Sequence, residues 1–391
     1  MRKMKMVGSL LFHRAKVCTN AIQCPLPDSI ISAAKTMNNM RKIAIEDGQK
    51  CLRESPVIVL GSGASIPAGL PSMKKLADHL KGSTPDGILP NTDQNLWDKF
   101  INKLVIEGKD LESALQEIQL NRKLSDHVIE QTWNLVSKAD TCAFEKVLGN
   151  VTHLPLVRLY RHLFDSTGET VSVVTTNYDR LAEYAADHAG FCHYTGFSYG
   201  YLRKRQQPRS RLYFKRERDN KAARTVNIWK VHGCLDWFID QDDQVIAITS
   251  ARTILDGWQP AIVTPGINKY ESAFREPFRS IITGADEALA SANAYLCIGF
   301  SFNDKHIQPK LLDRWKQGKA FLVILTRTLK ENVKEMLKKE NNQEFVALEQ
   351  LEQSGNGTRM WSNKYPEGVS IEGVSLWNLS TFLKHTIEGG A

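Results

Sequence analysis

Four stretches of the chain place glycine or polar residues directly after a short apolar run. Val57-Ile58-Val59-Leu60 leads into Gly61-Ser62-Gly63-Ala64-Ser65, and Val171–Thr176 leads into Asn177-Tyr178-Asp179. Val226–Val231 leads into His232-Gly233-Cys234, and Ala294–Gly299 into Phe300-Ser301-Phe302-Asn303-Asp304. A neutral histidine near pH 7 is suited to take a proton from water or a sugar hydroxyl, worth about 10² to 10⁴ in rate. An asparagine both donates to and accepts from such groups without carrying charge. The small residues from Gly61 to Ser65 allow a tight, positive-φ turn that a nucleotide can approach closely, and the helix N-terminus expected at Ser72 completes a site for a pyrophosphate. Each stretch also has a plainer reading. Asn177, Asp179, Asn303 and Asp304 are all suited to cap helices, and a strand-end histidine is often structural. The first stretch is not a full G-x-G-x-x-G, because Ile66 takes the third glycine's place, and the absence of a following G-K-[ST] argues against an ATP-type P-loop.

The elements that must hold these residues read as strands of a parallel sheet. Short continuous apolar runs, among them also Ala261-Ile262-Val263-Thr264 and Phe321–Thr326, are mostly followed by helical stretches. The fold class expected is α/β: a Rossmann-like parallel sheet with helices on both faces, an inserted helical module and no zinc module. In such sheets ligands gather at the carboxyl ends of the strands, so the four stretches converge on one site. Residues 1–25 have no clear period and read as a loose tail, and Asp28–Leu52 reads as a helix through Ile31, Ala34, Met37, Met40, Ile43 and Ile45. Ser72 is the expected N-cap of a helix whose Met73, Leu76 and Leu80 share a face. Lys81–Pro90 is a breaker-rich loop. From Asp93 to Phe164 only helical spacing appears, in Leu111, Ala114, Leu115 and Ile118 and again in Val128, Ile129, Trp133 and Val136. The tail has a charged helix, a Gly355-Asn356-Gly357 loop and a closing segment through Trp377 and Phe382. The expected division is residues 1–52 as tail and helix, 53–330 as the ligand-binding domain with 93–165 inserted, and 331–391 as a C-terminal helical extension.

Composition sets further bounds. The 391 residues have the make-up of a soluble globular protein with room for a large core, and no apolar run reaches the length of a membrane span. The basic start before Leu10-Leu11-Phe12 is a weak or spurious export signal, broken by His13 and Arg14. Seven cysteines, Cys18, Cys24, Cys51, Cys142, Cys192, Cys234 and Cys297, stand singly with no C-x-x-C, which disfavours structural zinc and disulfides and fits a reducing cytoplasm. Cys297 reads as a core thiol. The net charge of +8 is concentrated, since residues 203–224 hold ten Lys or Arg against Glu217 and Asp219. That basic loop is either a solvated insertion or a contact for a phosphate-bearing ligand, nucleic acid or an acidic partner.

Taken together, these pieces resemble the sirtuin, or silent-information-regulator, superfamily of NAD-consuming enzymes. The resemblance lies in Gly61-Ser62-Gly63-Ala64-Ser65 with Ala68-Gly69-Leu70-Pro71-Ser72, in Thr175-Thr176-Asn177-Tyr178-Asp179, in Val231-His232-Gly233 and in Gly299-Phe300-Ser301, from about Pro56 to Asp304. It implies that Gly61, Ser62, Gly63, Ala64 and Ser65 hold the NAD pyrophosphate, while Gly69, Leu70, Pro71 and Ser72 cover the nicotinamide ribose. Asn177, beside Thr176, positions that ribose and a water. Asp179 meets the carboxamide and His232 is the base. Gly299 and Ser301 lie against the adenosine half, with Asp304 a further contact. Three family features depart: the four zinc cysteines are missing, Met73 and Lys74 replace the usual Phe and Arg, and Thr176 replaces the usual Gln. These put acyl-lysine peptide binding in doubt. The chain looks closer to prokaryotic sirtuin-like effectors that hydrolyse NAD in anti-phage defence.

The activity the resemblance implies is that of an NAD glycohydrolase, releasing nicotinamide and ADP-ribose with NAD as substrate and no metal required. Protein deacylation, ADP-ribosyl transfer and a non-catalytic NAD- or ADP-ribose-binding subunit stand as alternatives, as does nucleic-acid binding through the basic loop with Tyr213 and Phe214. Resting NAD hydrolysis would harm a cell, and little sequence follows the Phe321 strand to make a sensing domain. Restraint is therefore expected from self-assembly into a homo-oligomer or from a second protein. The resemblance points to a ring-forming translocase ATPase as that partner, met through the 93–164 helices or the basic loop.

Overall fold

The structure, a computed structural model, describes residues 28–85, 90–149, 153–165, 168–206, 213–264, 275–304, 306–352 and 356–389, with side chains from residue 38. The expected N-terminal tail, Cys18 and Cys24, Ile31, Ala34 and Met37 as side chains, the Gly87 end of the Lys81–Pro90 loop, Gly355, and residues 207–212 of the basic loop lie outside that description.

The helices and strands run α1 (Asp28–Arg53), β1 (Val57–Leu60), α2 (Met73–Lys81), α3 (Asn91–Val105), α4 (Leu111–Glu117), α5 (Arg122–Leu148), α6 (Pro155–Asp165), β2 (Thr170–Thr175) and α7 (Leu181–Ala189). They continue with β3 (Cys192–Tyr194), β4 (Leu202–Lys204), β5 (Thr225–Lys230), β6 (Gly233–Ile239), β7 (Val245–Ile248), β8 (Gln259–Ile262), α8 (Phe278–Ser291) and β9 (Ala294–Ile298). The last are α9 (Gln308–Lys316), β10 (Phe321–Thr326), α10 (Glu331–Lys339), β11 (Phe345–Gln350), β12 (Gly357–Ser362), β13 (Tyr365–Glu372) and α11 (Leu379–Ile387).

Nine strands form one sheet in the order β13-β12-β11-β10-β9-β1-β2-β5-β3. From β11 through β3 every pairing is parallel, and β12 and β13 close one edge antiparallel. Successive side chains of a strand face opposite ways, and β1 shows the result. Ile58 and Leu60 enter one core with α1, α5, α6, α7 and α11, while Val57 and Val59 enter the other with α8, α9 and α10. Burial on both faces is why these strands are continuous apolar runs.

Two expectations need correction. The run at Ala261 does not join the parallel sheet; β8 belongs to a separate antiparallel sheet ordered β4-β7-β6-β8. A short apolar run reads the same in either sheet, because periodicity reports burial and not the partner strand. Residues 331–391 are not a helical extension either. They hold two helices and the three strands β11–β13, which extend the main sheet. Between Asn91 and Asp165 the described residues are helical with short connections, and α2, α3, α4 and the start of α5 share a small core of their own around Trp97, Phe100 and Leu124.

Register fixes the site. Leu60 is level with Thr175 on β2 and with Ile298 on β9, and Thr175 is level with Lys230 on β5. The four neighbouring strands therefore end in one row, and Gly61, Thr176, Val231 and Gly299 each begin the polar stretch beyond it. β1 lies at the point where the chain order reverses across the sheet, the place where such folds open a crevice.

Candidate functional site

At β1 the chain does not make the positive-φ turn its glycines permit. Gly61 is extended at φ −102°, Ser62–Ala64 and Ile66–Ala68 are single turns of 3₁₀-helix, and only Gly69, at φ 98°, is left-handed. Gly61 and Gly63 serve a different need. A Cβ on Gly61 would sit 2.3 Å from Gly299 O, and one on Gly63 would sit 2.8 Å from Gly299 Cα. The reverse holds too, since a Cβ on Gly299 would sit 2.3 Å from Ala64 N. The turns after β1 and β9 thus touch backbone to backbone, joined by Gly61 N–H donating to Ile298 O (3.0 Å) and Gly63 N–H to Gly299 O (3.2 Å). Ser72 caps α2 as expected, accepting from Lys75 N at 3.3 Å.

Beyond β2, Thr175 Oγ1 donates to Leu60 O and accepts from Asn177 N, both at 3.0 Å. Asn177 Nδ2 donates to Gly61 O (2.9 Å) and to Ser65 Oγ (3.1 Å), which leaves Oδ1 without a donor among the described residues. Ser65 Oγ in turn donates to Asp179 Oδ2 at 2.7 Å, and Asp179 Oδ1 accepts from Leu181 N at 3.2 Å. Asp179 therefore satisfies the first amide of α7 from the position before its N-cap, Arg180, while Asn177 is no cap but a clamp between the first two strand ends. Burial pushes the Asp179 carboxyl up to about 6, against Lys230 and the Ser65 hydrogen bond, which both favour the carboxylate. Lys230, 1% exposed, donates to Asp179 O and pairs with Glu183 at 3.1 Å. Burial alone would lower its pKa, but Cys234, Glu183 and Asp179 outweigh that and raise it.

His232 stands at the joint where the chain leaves the parallel sheet and enters the antiparallel one. Val231 N donates to Thr175 O (3.1 Å), Val263 N donates to His232 O (2.9 Å), and Gly233 makes the bend at φ 88°. From the far side comes the turn after β9, where Phe302 is left-handed at φ 55° although fully enclosed. That turn sets Asp304 Oδ1 to accept from His306 N and Ile307 N, both at 3.0 Å, and brings Asp304 Oδ2 to 2.9 Å from His232 Nε2.

These groups surround a cleft of about 160 Å³. Gly61, Ser62, Ser65, Leu70, Pro71 and Ser72 come to it from the first stretch. Thr176, Asn177 and Asp179 come from the second, His232 from the third, and Gly299, Ser301 and Asp304 from the fourth. Gly63 and Ala64 instead face a second cavity of about 530 Å³, which shares Ser65, Asn177, Asp179 and Gly299 with the first and adds Lys230 and Arg327. Gly69 lines neither. Glu112 in the first cavity and Thr326, Arg327 and Gln350 in the second were not expected from the sequence, and Tyr178 and Asn303, named there without a role at the site, also line the first. Tyr178 and Asn303 lie inside stretches already singled out, and Thr326 and Gln350 close strands, a signal the other strand ends share. Glu112 sits on an amphipathic helix with nothing to distinguish it.

The inserted helices roof the cleft through Glu112 of α4 and Val136 of α5. α5 is tied to the strand ends below. Trp133 Nε1 donates to Leu235 O at 2.8 Å, and Asp140, with no exposed surface, accepts from Arg180 N (2.8 Å), Nε (3.0 Å) and Nη2 (2.7 Å) and from Tyr184 Oη (2.6 Å). The five described cysteines are free thiols, with Cys51, Cys234 and Cys297 buried. Among the described residues there is no cluster of three His, Cys, Asp or Glu able to hold a metal ion, and no helix long and apolar enough to cross a membrane.

No curated protein matches the chain. Among solved structures, a sirtuin studied for its substrate affinity aligns at 14% identity over 71% of this chain and 84% of its own, with a TM-score of 0.36. Sir2Tm bound to a propionylated peptide aligns at 14% identity over 71% and 82%, with a TM-score of 0.33. A structure addressing the mechanism and regulation of Sir2 enzymes aligns at 14% over 73% and 88%, with a TM-score of 0.32. Residues 171–345, from β2 to the start of β11, match the model of the SIR2-like domain. That match, over somewhat less than half of the chain, supports a sirtuin-like segment and an NAD-related function.

Proposed function

We propose that the protein is an NAD glycohydrolase that splits NAD into nicotinamide and ADP-ribose. The observation that carries the reading is the convergence of Asn177, Asp179, His232 and Ser301 on one cleft, reached from three neighbouring strand ends beside the Gly61–Ser65 turn. NAD brings its own leaving group, so the protein need only orient the ribose, stabilise developing charge and deliver water. Asn177 Oδ1 accepts from a ribose hydroxyl or the water, and His232 takes the proton. Asp179 meets the nicotinamide carboxamide, and its raised pKa lets it donate or accept near neutral pH. The two cavities flank the Gly61–Ser65 turn and share Ser65, Asn177, Asp179 and Gly299, which suits a dinucleotide lying across that turn.

As an NAD-depleting activity it suits an anti-phage effector of the cytoplasm, held in check by self-association or by a ring-forming ATPase partner. The test is chromatography of NAD incubated with the full chain, alone and with the protein encoded beside it. Nicotinamide and ADP-ribose that appear with wild type and not with His232→Ala support the reading. Nicotinamide release that requires an added acyl-peptide or acceptor protein replaces it with deacylation or ADP-ribosyl transfer. Tight binding of NAD that stays intact replaces it with a binding subunit.

A further inference from the structure

We infer that Asp304 is a positioning residue for His232, holding the imidazole with its proton on Nε2 so that Nδ1 is the nitrogen that accepts a proton in the cleft. Asp304 Oδ1 is committed to the amide hydrogens of His306 and Ile307, both at 3.0 Å, so the carboxylate is clamped on one side. That clamp directs Oδ2 at His232 Nε2, 2.9 Å away. The approach of Nε2 to Oδ2 is a close ion–dipole contact outside linear hydrogen-bond alignment. Both side chains are enclosed, at 11% and 6% exposure, so the interaction is little screened by solvent. The Nδ1 atom has no partner among the described residues and, unlike Nε2, is not sealed from the cavity.

The strain in the turn points the same way. Phe302 is held at φ 55°, a conformation that a bulky residue rarely adopts, and it is two positions from the clamped carboxylate. A carboxylate accepts only, so it fixes the tautomer of the histidine it faces. The other ring near His232 is that of His306, whose centroid is 6.5 Å away and edge-on, which leaves Asp304 as the group that orients it.

Asp304→Asn tests this directly, because Asn retains an oxygen for the two backbone amides and caps nearly as well as Asp. Its nitrogen then faces His232 Nε2 and donates, which drives the imidazole proton to Nδ1. The catalytic half of the inference rests on the proposed NAD cleavage, and the tautomer half does not. Full-length protein labelled with ¹⁵N-histidine, with His232 assigned by His232→Gln, is expected to show Nε2–H in wild type and Nδ1–H in Asp304→Asn. Nδ1–H in wild type, or the same tautomer in both, overturns the inference. In NAD turnover, Asp304→Asn is expected to lower kcat about 10²-fold or more with KM within about threefold, because the wrong nitrogen then carries the proton. An unchanged kcat in a variant whose tautomer has flipped overturns the positioning role. Where wild type leaves NAD intact, the glycohydrolase reading fails by itself and the tautomer comparison still decides Asp304.

Discussion

Gly299→Ala, compared with Gly69→Ala, separates two reasons for glycine in this site. Both positions are left-handed, at φ 57° and 98°, so an alanine pays a similar backbone cost of about 1–2 kcal/mol at either. They differ in surroundings. The Gly69 Cβ would meet only Lys146 Nζ at 4.0 Å, whereas the Gly299 Cβ would meet Ala64 N at 2.3 Å and Gly63 C at 2.4 Å. Main-chain atoms cannot swing aside like a lysine tip, so the turns after β1 and β9 must part, at an overpacking cost of about 1–3 kcal/mol more. The expected loss is therefore about 1–2 kcal/mol for Gly69→Ala and roughly 2–5 kcal/mol for Gly299→Ala. With an unfolding entropy of about 2.1 cal/mol/K per residue, these correspond to falls in Tm of roughly 1–3 °C and 2–6 °C. Differential scanning calorimetry of the two purified variants reads both. Equal melting temperatures would refute the idea that backbone contact between the two turns, rather than left-handed geometry alone, requires Gly299.

Other outcomes follow from the same geometry. Asp179 has a folded pKa of about 6 against the ordinary 3.8, so its burial costs nothing below about pH 4 and counts in full, on the order of 3 kcal/mol, above about pH 6. Urea melts of wild type should therefore lose stability relative to Asp179→Asn as pH rises from 4 to 7; parallel curves would show the carboxylate is not penalised. Asp140→Ala should lower stability by about 3–5 kcal/mol, because Arg180 is left buried without its carboxylate, and a drop under 1 kcal/mol in denaturant would contradict the account of that pair. His232→Ala should fold with an unchanged melting temperature to within about 2 °C and lose NAD turnover by about 10²-fold or more. Retained turnover removes His232 from the chemistry.

Much of the site was legible because each strand end is a local pattern, an apolar run followed by a polar or glycine stretch. Parallel register then did the rest, bringing residues as distant as Gly61 and Ser301 to one cleft. The sequence did not disclose why its glycines are there: Gly61 looks like a residue for a special turn and is in fact extended, its missing Cβ demanded by a strand more than two hundred positions away. The contact of His232 with Asp304 was hidden for the same reason, since only the sheet order makes β5 and β9 converge there. β12 and β13 were missed: Gly357 was placed in a loop, and Pro366 and Gly368 weaken the strand pattern of β13, although an antiparallel edge tolerates them. Leu76 and Leu80 were placed correctly in the core, but Met73, on the same helical face, turns out 39% exposed at the mouth of the cleft.

α5 spans 27 residues, about 40 Å of helix. Its first turns, through Leu124 and Val128, belong to the small helical core, and its later turns, through Ala143 and Val147, belong to the core of the main sheet. Between them Trp133, Val136 and Asp140 touch Leu235, the cleft and Arg180. One continuous helix is therefore seated in both cores, and its middle, at Val136, helps to close the cleft about 20 Å from the N-terminus of α5, so the outer helices and the site share a single rigid element.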